Sequence, residues 1–161
     1  MVLNGSSIYV FGGREVLSGV TSDELWTYDI ELRSWRRIMY QLSSNMILPQ
    51  NLSLLMVWGH TANIIELLDG RTVMIVLFGY QTEYGFSGFV WEYDLNDERW
   101  TSVVTNGALI EGAYGHTTTW DPVSRLCFVH GGFSYIRAGV YGISAALHSY
   151  QPDSKTFKVL R

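Results

Sequence analysis

The feature that most constrains the fold is a pair of motifs that occurs three times along the chain. The first motif is an apolar stretch that ends in glycine, at SIYVFGG, MIVLFGY and LCFVHGG (7–13, 74–80 and 126–132). The second follows it as LWTYDIELRSW, VWEYDLNDERW and LHSYQPDSKTF (25–35, 90–100 and 147–157). In every copy the tyrosine precedes a Trp or Phe by seven residues. Such a repeat predicts tandem supersecondary units that bury a shared core by stacking on one another.

Each unit is predicted to contain four antiparallel strands, A to D. Strand A follows Gly-His, strand B ends at the glycines, strand C contains Trp-x-Tyr-Asp, and strand D begins at the Trp or Phe. Asp69-Gly70 and Asp121-Pro122 have the composition of tight A–B turns. The first unit lacks a Gly-His segment, so it is expected to have no strand A. Its strand B would then have an unpaired edge at Val10–Gly12.

The glycine pair and the fixed aromatic positions resemble the kelch motif, whose repeats of about 50 residues are blades of a β-propeller. The resemblance implies an all-β chain with about three four-stranded blades, a partial ring within residues 1–161. The blades are expected at about 5–38, 58–104 and 114–160. Because propellers have about 4–8 blades, the chain is expected to be a fragment, an isoform or the product of an incomplete gene model. The repeat positions with structural roles are Gly12, Gly13, Tyr28, Trp35, His60, Gly79, Tyr93, Trp100, His116, Gly131, Gly132 and Tyr150.

Alignment of the three repeat sequences predicts that the single cysteine is a packing residue. Cys127 aligns with Ile8 and Ile75, and a free cysteine is a small hydrophobe in such a position. His130 aligns with Phe11 and Phe78, so we expect it to fill an aromatic position at the end of a strand. In this alignment Tyr80 replaces the second glycine of the second unit.

The remaining aromatic and histidine positions are also interpreted as structural. His60 and His116 occupy equivalent Gly-His positions, which indicates a scaffold role. Trp35 and Trp100 are expected to pack between neighbouring sheets.

The sequence predicts no catalytic residue, cofactor site or metal site. The glycine pairs lack the Lys-Ser/Thr of a phosphate loop, and GFSGF lacks the spacing of a serine-hydrolase nucleophile. A copper enzyme of the galactose oxidase type needs a cysteine–tyrosine crosslink, and a buried Cys127 argues against one. The net charge is −4 without a basic block, so nucleic-acid binding is not expected. No segment is apolar over the roughly 20 residues of a membrane span, so membrane association is expected only through other parts of the protein.

The segment YGHTTTWDPVSRLCFVHGGF (114–133) resembles the attractin family, which includes attractin, attractin-like and multiple-EGF-like-domain proteins. These are large single-pass membrane glycoproteins. The resemblance implies a non-catalytic, extracellular protein-binding module that acts in cell adhesion, guidance or receptor modulation. An intracellular kelch adaptor, muskelin-like or a substrate receptor of a ubiquitin ligase, is the alternative, with a cytoplasmic location. The sequons at Asn4 and Asn51 are candidate N-glycosylation sites, and Asn51 is expected to be occupied in preference to Asn4.

A protein ligand or co-receptor is expected at the end of the blades that carries the B–C and D–A loops. These loops are long and irregular, whereas the A–B and C–D turns are short, and long loops on a rigid scaffold commonly bind partners. Aromatic and arginine side chains are favoured anchors at protein interfaces. The candidate partner-binding residues are Tyr84, Phe86, Phe89, Phe133, Tyr135, Arg137 and Tyr141.

Overall fold

The computed structural model describes residues 1–44, 55–137 and 140–160. Within these ranges the chain is all-β, and none of the described residues forms a helix long and apolar enough to cross a membrane. Asn51 lies outside the described residues. The strands are β1 Val2–Asn4, β2 Ser7–Phe11, β3 Leu25–Asp29, β4 Ser34–Ile38, β5 Gln41–Leu42, β6 Thr61–Glu66, β7 Thr72–Leu77, β8 Tyr80–Gln81, β9 Gly85–Phe86, β10 Val90–Asp94, β11 Arg99–Val103, β12 Asn106–Gly107, β13 Ala113–Tyr114, β14 Thr117–Asp121, β15 Leu126–His130, β16 Phe133–Arg137, β17 Val140–Ile143, β18 Leu147–Gln151 and β19 Thr156–Val159.

Three large sheets follow one another as blades. Blade 1 has the order β1-β2-β3-β4, blade 2 has β5-β11-β10-β7-β6, and blade 3 has β12-β19-β18-β15-β14. The expectation that the first blade lacks strand A is wrong. β1 occupies that position, and its pairing with β2 runs from Asn4↔Ser7 to Val2↔Tyr9. The pairing stops there because β1 is short, so only Val10 and Phe11 extend beyond its edge.

The seven-residue interval between Tyr and Trp or Phe is explained by the C–D hairpin. It places Tyr28 opposite Trp35, Tyr93 opposite Trp100 and Tyr150 opposite Phe157, with ring centroids 4.6–5.1 Å apart. The aspartate after the tyrosine shapes the turn in the first two blades. Asp94 Oδ1, for example, accepts hydrogen bonds from the backbone N–H groups of Asn96 and Asp97. This Asx-type turn fixes the register of the hairpin.

Two apolar clusters join the blades. The even-numbered residues Met74 and Val76 of β7 pack toward blade 1, whereas Val73, Ile75 and Leu77 pack toward blade 3. Successive side chains of a strand point to opposite faces, so a strand between two neighbours has a continuous apolar sequence. This explains why MIVL in blade 2 has no polar alternation.

The strand register corrects the alignment of the repeats by one residue in blade 2. Phe78 (φ 60°), not Tyr80, takes the place of a glycine, because it shares its backbone conformation with Gly12 (φ 61°) and Gly131 (φ 72°). Its N–H donates to Phe89 O, as Gly12 donates to Glu24 O and Gly131 to Ala146 O. Phe11 and His130 are therefore equivalent to Leu77, and Cys127 to Met74.

Cys127 is a packing residue, as expected. It is fully buried in the cluster between blades 2 and 3. The side-chain amide of Asn63 donates to its sulfur at 3.5 Å, and burial raises the pKa of the thiol to about 12. A thiol in this state is a poor nucleophile.

Two expectations about aromatic positions are wrong for the same reason. Trp100 is fully buried between blades 1 and 2, but Trp35 is 58% exposed, since it lies on the face of blade 1 that points away from blade 2. His130 is exposed. Its equivalents in the other blades pack toward the next blade, whereas His130 lies on the face of blade 3 that points away from blade 2.

Candidate partner-binding site

The candidate site lies where strand B of each blade ends and the B–C loop begins. In blade 2 this loop forms the β8–β9 hairpin. In blade 3 it forms β16 and β17, and β13 from the preceding D–A linker pairs with β16 at Tyr114↔Phe133. Side chains from loops and linkers are therefore held next to one another by backbone pairing.

A glycine at the end of strand B allows the linker that leads into strand A of the same blade to approach closely. Gly79 has a φ of 110°, and a Cβ there would lie 3.0 Å from Trp58 O. Gly132 has a φ of 88°, and its Cβ would lie 2.9 Å from the backbone N of His116. A side chain at either position would strain the backbone and separate the rings from the blade.

Aromatic side chains form a continuous cluster across blades 2 and 3. Phe86 is at its centre, stacked against Tyr141, Tyr114 and Phe133 with centroid distances of 5.3, 5.9 and 6.1 Å. Trp58 extends the cluster, 4.9 Å from Tyr114 and 5.4 Å from Tyr80. Offset and edge-to-face contacts of this kind hold rings in fixed positions.

These rings line an open pocket of about 800 Å³, hereafter the aromatic pocket. Tyr84 and Tyr141 are more than half exposed at its rim. Arg14 contributes the positive charge of the wall. Its guanidinium lies 5.5 Å from the centroid of the Trp58 ring, and its Nε–H donates to Gly19 O at 3.0 Å. The pocket therefore combines flat apolar walls with one oriented cation.

The histidines of the two Gly-His motifs, His60 and His116, pack next to the site and contact rings of the preceding blade. His60 contacts the Phe11 ring and His116 contacts the Phe78 ring, with centroids 5.3 and 5.4 Å apart. His116 Nε2 also lies 2.8 Å from Thr61 Oγ1. Burial lowers the pKa of both histidines to about 4, so both are neutral near pH 7 and join adjacent blades.

The structure brings together four of the seven residues that the sequence suggests for partner binding. Tyr84, Phe86, Phe133 and Tyr141 line the aromatic pocket. Tyr135 contacts Tyr141 at 5.2 Å, but together with Arg137 it lines a separate cavity of about 560 Å³, whose wall also includes residues 109–112 of the linker between blades 2 and 3. Phe89 is apart from both and packs on Trp91 at 5.1 Å.

Sequence reasoning missed Arg14, Trp58, Tyr80 and Tyr114. Trp58 and Tyr114 immediately precede Gly-His, and the structural alignment places Arg14, Tyr80 and Phe133 at one position, directly after the second glycine or its equivalent. A large side chain recurs beside glycine at both positions, and this recurrence could have been recognised in the sequence. The one-residue alignment error in blade 2 concealed it at the position after the second glycine.

No group of three or more His, Cys, Asp or Glu side chains among the described residues has the geometry of a metal site. The arrangement offers ring faces, tyrosine hydroxyls and a guanidinium. These groups suit the reversible binding of a ligand that has both apolar and polar parts.

Blades with an antiparallel meander of strands A to D, glycine at the end of strand B and opposed aromatic rings in the C–D hairpin define a kelch-type β-propeller segment. Residues 1–161 match the Attractin/LZTR1 β-propeller family, and the chain belongs to this family.

Its curated relatives are much longer. The chain is 29% identical to mouse (Mus musculus) multiple epidermal growth factor-like domains protein 8 over 154 residues, which cover 96% of this chain and 5% of that protein. The human protein of that name is 28% identical with the same coverage. The Caenorhabditis elegans putative protein tag-53 is 27% identical over 70% of this chain and 8% of its own length. The chain thus spans less than a tenth of these relatives.

A solved structure confirms the fold. The chain superposes on the structure of YjhT with a TM-score of 0.66, covering 98% of this chain and 49% of that one. The sequence identity is 14%, so the likeness extends to the propeller fold alone.

Proposed function

We propose that the chain is a non-catalytic protein-binding module and that a protein ligand or co-receptor binds at the aromatic pocket. The observation that carries the proposal is the continuous aromatic cluster around Phe86, which spans two blades and remains open to solvent. Rigid, partly exposed rings supply contact area at a low cost in conformational entropy, and such rings dominate the energetics of protein interfaces.

We further propose that the module lies on the extracellular side of a membrane or secreted protein and acts in adhesion, guidance or receptor modulation. Support comes from the relatives whose names include epidermal growth factor-like domains. EGF-like domains are disulfide-dense modules of secreted and extracellular proteins, so a propeller that shares a chain with them would fold in the same compartment. Exposed Asn4 at the end of β1 would be accessible to a glycan.

The test is a binding screen of the full-length protein against a library of extracellular domains, followed by quantitative measurement of any hit. Phe86→Ala should lower the affinity for the identified domain at least about tenfold. This corresponds to about 1.4 kcal/mol or more, the effect of truncating an interface hot spot. Loss of binding should appear mainly in the dissociation rate.

Leu68→Ala is the matched control. Leu68 is 76% exposed in the A–B turn of the same blade, at the opposite end from the aromatic pocket. The Leu68→Ala variant should therefore bind the partner with the affinity of the wild type. Equal affinities for the wild type and Phe86→Ala would show that the partner binds elsewhere and would reject this site.

A further inference from the structure

We propose that the aromatic pocket recognises an acidic segment of a partner protein, in which an Asp or Glu carboxylate pairs with Arg14 and a neighbouring apolar side chain lies on the rings around Phe86. This inference rests on the proposed function and assigns the chemistry of its ligand. The first observation is a replacement within the repeat. The position directly after Gly13, Gly79 and Gly132 has a ring in blades 2 and 3, Tyr80 and Phe133, and a guanidinium in blade 1.

Arg14 is oriented but has no counter-ion among the described residues. The ion pairs of the described residues involve Arg36, Arg37, Arg71 and Arg125. The contacts of the Arg14 guanidinium with described groups are instead the Gly19 carbonyl and the face of Trp58. A guanidinium has five N–H donors, so donors remain for a ligand. Both existing contacts leave the positive charge uncompensated.

The charge of the pocket wall differs from that of the whole chain. The chain has a net charge of −4, but the described residues that line the aromatic pocket include no Asp or Glu. A carboxylate that enters the pocket therefore meets a cation without a repelling acid on the wall. It would also gain from partial exclusion of water by the rings, because charge-assisted hydrogen bonds strengthen as the local dielectric falls.

The walls also select for an apolar group beside the acid. Phe86 and Tyr141 are nearly parallel, with an interplanar angle of 16°, and Tyr114 and Phe133 continue the same surface at 19° and 26° to Phe86. Flat surfaces of this kind accept aliphatic, proline or aromatic side chains. A peptide segment presents both groups at the spacing of neighbouring side chains, so it is the ligand that this inference assigns to the pocket.

The test begins with a random peptide library displayed on phage and selected on the immobilised full-length protein. The peptides recovered from wild type, but not from Phe86→Ala, should be enriched in Asp and Glu. Each is then synthesised in its original form and with every acidic residue replaced by its amide. Binding of both forms is measured by calorimetry to wild type, Arg14→Gln and Arg33→Gln.

Arg33→Gln is the matched control, because it removes the same charge from an exposed residue in the C–D turn of blade 1, at the opposite end from the pocket. Arg14→Gln should lower the affinity for the acidic peptide at least about tenfold, which corresponds to about 1.4 kcal/mol of binding free energy. The amide peptide should bind wild type and Arg14→Gln equally. Thermal melting should show that both arginine variants are folded, and the amide peptides test the same pairing without altering the protein.

The outcomes separate this inference from the proposed function. If Phe86→Ala abolishes binding of peptides that show no acidic enrichment or no response to Arg14→Gln, the carboxylate inference is wrong and the protein-binding site stands. If the wild type yields no peptide, or if only acidic glycans on a glycan array respond to Arg14→Gln, the inference of a protein segment is wrong. Peptides that bind equally to the wild type and to Phe86→Ala reject both proposals.

Discussion

Trp35 and Trp100 occupy the same position in successive repeats but differ completely in environment. Trp100 is fully buried, 4.7 Å from the ring of Phe11 and 5.1 Å from that of Tyr93, whereas the only described ring that Trp35 contacts is that of its hairpin partner Tyr28. We expect Trp100→Ala in the full-length protein to cost ~3–5 kcal/mol of folding free energy through lost burial and an unfilled cavity. Calorimetry should show a large fall in melting temperature. Exposed Leu32→Ala serves as the control, and an unchanged melting temperature for Trp100→Ala would contradict the packing.

Cys127 allows a chemical test of the apolar cluster between blades 2 and 3. Its thiol is inaccessible between blades 2 and 3, and its raised pKa keeps it protonated at neutral pH. We expect a thiol reagent to leave Cys127 unmodified in the native protein and to label it after denaturation. Mass spectrometry of the peptide that contains Cys127 measures both states. Rapid labelling of the native protein would mean that this interface opens or does not form.

His116 predicts a dependence of stability on pH. Its pKa is lowered by burial to about 4 in the folded protein, against an ordinary value of 6.5. The unfolded chain therefore binds a proton that the folded chain rejects, and the contribution of His116 to stability is lost as pH falls from about 6.5 to about 4. The loss is about 2 kcal/mol at about pH 5 and approaches about 3 kcal/mol only below about pH 4. Urea unfolding at about pH 7 and about pH 5 should show it, and His116→Gln should reduce the difference. Equal pH dependence in both proteins would contradict the assignment.

At the residue scale, repetition in the sequence predicted the face that a residue occupies only where the repeats were aligned correctly, and it did not predict what covers that face. In blade 2 the one-residue error matched Cys127 with Ile75, which lies on the opposite face of β7 from its true equivalent Met74. Cys127 was assigned correctly because blade 2 lies against it. Trp35 and His130 were assigned wrongly because they occupy the two outward faces of the described blades. Burial is a property of the neighbouring sheet, which a single strand does not encode.

At the element scale, the strands with strong periodicity were predictable and the shortest ones were not. β7 follows from its apolar run, and β10 follows from the Trp-x-Tyr-Asp motif. By contrast, β5 and β12 contain two residues each and have no readable period. They pair in parallel with strand D of the next blade, Leu42 opposite Trp100 and Gly107 opposite Phe157. Each D–A linker thus binds the blade that follows it.

Gly107 tests the importance of this linker contact. It has a φ of 83°, and a Cβ at this position would overlap the carbonyl oxygen of Phe157. Gly107→Ala should therefore combine backbone strain of about 1–2 kcal/mol with separation of β12 from β19. Gly115→Ala is the matched control, because Gly115 has a φ of 67° with no atom near its Cβ position. Chemical unfolding should show the larger loss for Gly107→Ala, and equal losses would mean that the contact contributes little.

At the scale of the whole molecule, the kelch motifs predicted the propeller fold and the end of the blades where long loops gather. They did not predict the aromatic pocket itself. The pocket depends on the meeting of Trp58 and Tyr114 from the linkers with Phe86 and Phe133 from the B–C loops. These contacts join residues that are distant in sequence, and they are set by blade stacking rather than by any local pattern.

The two outward faces of the described blades predict how the 161-residue chain behaves alone. Blade 3 presents Leu160, which is 41% exposed, whereas its equivalent Val103 in blade 2 is 6% exposed because blade 3 covers it. Blade 1 presents Trp35 in the position where Trp100 is covered. Apolar patches beyond a few hundred Å² favour association, and repeat folds without polar end units lose solubility. We therefore expect the isolated chain to be oligomeric, insoluble or dependent on additional blades. Light scattering and calorimetry measure this, and a soluble monomer with cooperative two-state melting would show that these faces need no further blade.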